Sequence, residues 1–200
     1  MKINKLTSIC KRAGTINLYN EENSDVQWCG TYEVIYPLYS LPVLDGDSIG
    51  AVLSLSDKEM DKIVVTHRSI PVRYDVRDTV EYEVSLGTAL FEFTVSGSAY
   101  QAYKRPDDTG VIIINPAYLK PLFDGENLPE LYLRGAGFAE YVVAKNGLMV
   151  SAIIEPELGV LSEAFSRNLA EFYHAACGTL DAAAAFAAVP RTDPATGEIL

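Results

Sequence analysis

The dipeptide Asn146-Gly147 stands between two apolar, alternating runs, Glu140 to Ala144 and Leu148 to Ile154, and it constrains this chain more than any other feature. Both residues tolerate the positive φ of a type I′ turn, so the segment is predicted to fold as a β-hairpin. A strand over Glu130 to Arg134 precedes it. From Thr7 to about Tyr103 the chain reads as further short β segments punctuated by turn residues, the pattern of antiparallel sheet. Thr15 to Tyr19 and Tyr32 to Tyr36 flank the polar stretch Asn20 to Asp25 as a second hairpin, and Lys62 to Thr66, Val80 to Leu86 and Ala89 to Val95 are further strands. In Val80-Glu81-Tyr82-Glu83-Val84 the alternation places one face, with both glutamates, in water.

Val111-Ile112-Ile113-Ile114 is an unbroken β-branched run, which predicts a strand buried on both faces and central in a sheet. Asn115 followed by Pro116 is an N-cap with proline at the first helical position, so a short helix is expected through about Phe123, limited by Pro121. From Ser162 to Val189 the period turns helical, with Phe165, Leu169, Phe172, Ala176 and Leu180 on one stripe and Gly178 as a dividing point. Arg191 to Leu200, beyond Pro190, reads as a mobile tail. The expected organisation is one α+β domain over 1–189, mainly antiparallel sheet with short helices and the C-terminal helix 162–189, followed by a tail over 190–200.

The chain also matches itself. Ile35-Tyr36-Pro37-Leu38-Tyr39-Ser40-Leu41-Pro42-Val43-Leu44-Asp45-Gly46 aligns with Ile114-Asn115-Pro116-Ala117-Tyr118-Leu119-Lys120-Pro121-Leu122-Phe123-Asp124-Gly125, sharing isoleucine, both prolines, tyrosine, aspartate and glycine. The implied unit is β-α-β-β-β, once over 32–104 and once over 111–157. In the first copy the helix falls at Pro37 to Leu44 or at Asp47 to Leu55. Two such units resemble the building block of the DNA sliding clamps, the ring-shaped processivity factors of replicative polymerases. The likeness is carried by Val111 to Asn115 with Pro116-Ala117-Tyr118-Leu119-Lys120, by Leu131-Tyr132-Leu133, and by Glu140-Tyr141-Val142-Val143 and Leu148 to Ile154 with Glu155-Pro156. In general character the chain also resembles phage-encoded accessory proteins.

That resemblance implies a non-enzymatic DNA-replication accessory protein, self-associating into a ring of six domains. It departs from the clamp pattern in that clamp helices rich in lysine and arginine line the hole, whereas Pro116 to Asp124 offers only Lys120 and Asp47 to Leu55 offers no cation. The net charge of −11, from 27 acids against 16 bases, repels nucleic acid on average, so a DNA contact requires a local basic patch. Lys104 and Arg105, after the aromatic run Tyr100-Gln101-Ala102-Tyr103, together with Lys120 and Arg134, are the candidate DNA contacts. The alternative is an acidic protein-interaction module, regulatory or structural, that binds no DNA. For it Trp28, the single tryptophan, is the candidate interface anchor, with a core position as the competing reading.

Catalytic and cofactor signals are weak. His174 and Cys177 lie three apart on the predicted C-terminal helix, a spacing more common in a core pair than in a metal or thiol site. Glu155 and Glu157 flank Pro156, and nothing places two carboxylates across a cleft. Gly135-Ala136-Gly137 lacks the third glycine of a phosphate loop. No catalytic residue, cofactor or metal is expected. Cys10, Cys29 and Cys177 are too few and too widely spaced for a disulfide framework, and no window reaches the roughly 20 apolar residues of a membrane span, so reduced thiols, a cytoplasmic location and no membrane partner are expected.

Overall fold

The computed structural model describes residues 1–21, 24–95, 97–108, 110–123 and 128–157. The predicted C-terminal helix, its His174 and Cys177, the tail and the Asp124-Gly125 end of the repeat lie outside the described residues. In chain order the elements are α1 (Ile3–Ala13), β1 (Thr15–Asn20), β2 (Gln27–Gly30), β3 (Val34–Pro37), α2 (Gly46–Val52), α3 (Asp57–Met60), β4 (Val64–Ser69), β5 (Val84–Ser85), β6 (Phe91–Val95), β7 (Ser98–Lys104), β8 (Val111–Ile114), β9 (Glu130–Arg134), β10 (Tyr141–Asn146) and β11 (Met149–Ile154). The fold is α+β and mainly antiparallel. Among the described residues, an eight-stranded sheet runs β4-β1-β2-β3-β11-β10-β9-β5 and a three-stranded sheet runs β6-β7-β8.

Two meanders, β1-β2-β3 and β9-β10-β11, meet at the antiparallel pair β3·β11, where Ile153 faces Ile35. The second repeat unit runs strand, 3₁₀ turn (Pro116–Leu119) and three strands, as expected. Asn115 caps its turn by accepting from the Ala117 N–H at 2.9 Å. The first unit holds two helices and four strands after β3, divided between the two sheets; its helix α2 takes the Asp47 to Leu55 position, capped by Asp45.

Both faces of the large sheet are covered, which explains why its central strands carry so little polar alternation. On one face Ile16, Leu18, Val34, Tyr36, Val142 and Ile154 pack with Leu6 and Cys10 of α1, Ile49 of α2, and Ile112 and Ile114 of the small sheet. On the other, Tyr19, Trp28, Ile35, Tyr141, Val143 and Ile153 pack beneath Ile70, Tyr74 and Val76 of the β4–β5 connection. Arg134 fastens that connection: its guanidinium donates to the carbonyls of Asp75 (2.6 Å) and Arg77 (2.8 Å) and to Glu83 (2.6 Å).

Several elements differ from expectation for identifiable reasons. The hairpin at residues 146–147 forms with its loop shifted by one residue. Asn146 pairs with Met149, the loop is Gly147-Leu148, and only Gly147 has positive φ (+62°), which fits glycine at the first position of a type II′ turn. A bulge between Ala144 and Lys145 moves Val150 to the opposite face from Ala152. Residues 7–13 are helical. Thr15 to Tyr19 pairs with the intervening strand β2 and not with Tyr32 to Tyr36. Val111 to Ile114 is buried as predicted yet forms an edge of the small sheet, where the Glu157 N–H donates to the Ile113 carbonyl at 2.8 Å. Of Val80 to Leu86 only Val84–Ser85 is strand, and Glu83 turns inward to Arg134 and Lys145. No helix among the described residues is long and apolar enough to cross a membrane.

Candidate functional site: the open edge of β4

The sequence-predicted DNA contacts do not converge. Arg105 grips Glu140 with two hydrogen bonds of 2.9 and 2.6 Å, and Lys104 pairs with Asp108 at 2.6 Å. Arg134 is 2% exposed and wholly engaged in the core, so it presents no charge to a phosphate. Lys120 stands exposed after the 3₁₀ turn, and Lys104, also exposed, is the one engaged by Asp108. Trp28 is also 2% exposed, within the second core cluster, so its core reading replaces the interface reading.

A six-residue open edge lies at one end of the large sheet. β4 pairs with β1 in parallel register, Thr15 against Val64 through Asn20 against Ser69, and no described strand lies on its outer side. The Val64 N–H donates inward to the Gly14 carbonyl and the Ile70 N–H to the Asn20 carbonyl. In a parallel ladder a residue's N–H and C=O point to the same side, so Val65, His67 and Ser69 direct theirs outward. An outer row of three donors and three acceptors is a template for another strand. The strand continues to Ser69, so His67 is an internal strand residue.

Of the devices that usually blunt such an edge, β4 has no proline, lysine, bulge or inward-pointing charge; its one permanent charge is Arg68. Its local charge also departs from that of the chain as a whole. From Lys62 to Tyr74 the chain carries Lys62, His67, Arg68 and Arg73 and not one acid, in a protein of net charge −11. The Arg68 guanidinium donates to the Tyr32 hydroxyl at 2.8 Å and lies 5.0 Å from that ring's centroid. Among the described residues no carboxylate pairs with Arg68. Arg73 is different, since it donates to Glu155 at 2.5 Å, and Tyr74 shares that carboxylate.

Beneath Arg68 the same face continues across β1 as Thr15, Asn17 and Tyr19. The Thr66 hydroxyl donates to Asn17 Oδ1 at 2.5 Å, which joins the edge strand to its neighbour by side chains as well as backbone. Asn17 Nδ2 and Thr15 Oγ1 are buried without a hydrogen-bond partner among the described residues. Burial raises the Tyr19 hydroxyl's pKa, opposed by Asn17 and by the positive charge of Arg68. The acid-free stretch 62–74 was present in the sequence as a signal for this edge, but net charge taken over the whole chain hides it.

Of the hollows, one gathers ionisable groups of both signs. A hollow of about 210 Å³ is lined by Arg12, Thr31, Glu33 and Tyr118. Glu157 borders it, and its pKa is raised by burial, only partly countered by Tyr118 and with Glu33 adding to the rise. Arg12 lies over the Tyr118 ring at 5.9 Å. The hollow contains carboxylates, a phenol and a guanidinium, but none of the nucleophile–base pairs that would mark a reaction.

Comparison with protein-family models, with curated proteins and with solved structures returned no match, so the functional argument rests on the chemistry of the edge.

Proposed function

We propose that this protein is a non-enzymatic, acidic protein-interaction module that takes an extended segment of a partner protein as an added strand along β4. The observation that carries this reading is a six-residue edge with three outward N–H and C=O pairs and no proline, lysine, bulge or inward-pointing charge along it. Main-chain hydrogen bonds would supply affinity, and side chains on the two faces of β4 would supply selectivity. The clamp-like DNA-replication reading receives less support, because three of its four candidate cations are already paired with carboxylates or buried.

His67→Pro tests the proposal. Proline at an outward position removes one outer donor and adds bulk to the edge, leaving the ladder to β1 intact. Panning a random eight-residue peptide library should enrich β-prone peptides on the full chain, and these should fail to bind the proline variant. Equal binding to both proteins, or no enrichment, would overturn the edge reading. A concentration-dependent dimer in light scattering that disappears in the variant would make a second copy the occupant and overturn the partner reading.

A further inference from the structure

Resting on that edge reading, we propose that the segment received by β4 is acidic, with a carboxylate-bearing side chain set beside Arg68 on the face that also carries Tyr32. Three observations converge on this. The first is the run from Lys62 to Tyr74, where Lys62, His67, Arg68 and Arg73 occur without a single acid in a chain of net charge −11. The second is Arg68 itself, exposed on the strand and oriented by Tyr32 and by its own Nε–H donating to Thr66 Oγ1 at 3.3 Å, with no described carboxylate as partner. An arginine held by neutral groups keeps its charge for an incoming anion, whereas Arg73 and Arg77 have theirs engaged by Glu155 and Asp75. The third is register: side chains directly opposite on neighbouring strands stand close enough for opposite charges to attract and like charges to repel.

The same charge argues against self-pairing. A symmetric β4–β4 contact would bring two acid-free basic stretches together, each with an Arg68, and like charges across strands are destabilising. It also selects among partner segments, because a lysine-rich strand would meet Arg68 with repulsion while making the same backbone bonds.

Fluorescence anisotropy with three labelled eight-residue peptides, alternating threonine with glutamate, glutamine or lysine, separates backbone from charge. The full chain should bind the glutamate peptide about tenfold more tightly than the glutamine peptide, and the lysine peptide weakest of all. The preference should weaken as salt rises. Arg68→Gln should bring the glutamate and glutamine peptides level, and Arg68→Glu should favour lysine. Retention of the glutamate preference in both variants, or equal affinity of the full chain for all three peptides, would overturn the charge assignment. Loss of all binding in His67→Pro would then leave the edge reading standing. If the full chain binds none of the peptides, the assignment is overturned, and if His67→Pro binds them as the full chain does, the edge reading fails with it.

Discussion

A guanidinium that donates to three backbone carbonyls and a carboxylate is a structural post, and Arg134 holds the β4–β5 connection against the sheet in this way. Glu83 is shared between Arg134 and Lys145, and the Lys145 ammonium also lies 4.6 Å from the centroid of the Tyr132 ring. Removing one partner of a buried ionic cluster leaves the others uncompensated, so Arg134→Leu is expected to lower unfolding free energy by about 3–5 kcal/mol, measured by urea denaturation. Burial pushes the Glu83 pKa up, but Lys145 and Arg134 outweigh it, and the net result lies below the usual carboxylate value of 4.5. A lowered folded-state pKa means that the stabilisation is complete above about pH 4.5 and is lost as pH falls through the folded value. The variant's deficit should therefore narrow below pH 4.5. A deficit unchanged down to pH 3 would show that Glu83 contributes nothing to it.

At the scale of elements, the tightest constraint is one glycine. A Cβ on Gly30 would stand 2.0 Å from the Val34 carbonyl oxygen, a backbone atom fixed by the turn in which the Thr31 N–H donates to that same oxygen at 2.8 Å. Gly30→Ala is expected to cost about 3 kcal/mol or more, read as a fall in thermal midpoint; an unchanged midpoint would mean that β2 and β3 can separate freely. This close approach could not be read from Trp28-Cys29-Gly30-Thr31, because it depends on how β3 returns. Other elements were legible. The boundaries of β9 match their prediction, and the Asn146-Gly147 signal located the last hairpin although not its loop register. Helix α1 was missed because its polar residues obscured Ile3, Leu6 and Cys10, whose spacing of three and four is helical. β8 was placed centrally because a run of β-branched residues reports burial and carries no information about which side is paired. The candidate edge was half visible: Val64 to Thr66 fell within a predicted strand, but a parallel pairing to β1 that leaves one side open is a property of topology.

For the molecule as a whole, the distribution of charge weighs more than its sum. An acidic protein can still bind DNA if its cations gather, and non-specific affinity grows with the number of phosphates neutralised. Here Lys104 and Arg105 are tied to Asp108 and Glu140, Arg134 is in the core, and Lys120 stands at the surface after the 3₁₀ turn. The acid-free stretch Lys62 to Tyr74, with Lys62, Arg68 and Arg73 as its cations, follows a single edge strand and its continuation, a length suited to an extended peptide and too narrow for a duplex. Each phosphate contact steepens the fall of affinity with salt by about 0.9 in the log–log slope for duplex DNA, so a binder of six phosphates has an unmistakable signature. We expect no shift of a labelled 30-base-pair duplex in anisotropy at 50 mM salt with the full chain up to 100 µM, concentrations at which non-specific DNA binders are already saturating at this salt. Saturable binding with a salt slope of about −5 or steeper would mean that several copies pool their cations into one surface, and the assembly would then be the functional unit. A flat titration, alongside peptide binding that depends on Arg68, would place the recognition of partners at the sheet edge and leave the remaining acidic surface to keep the protein from other polyanions.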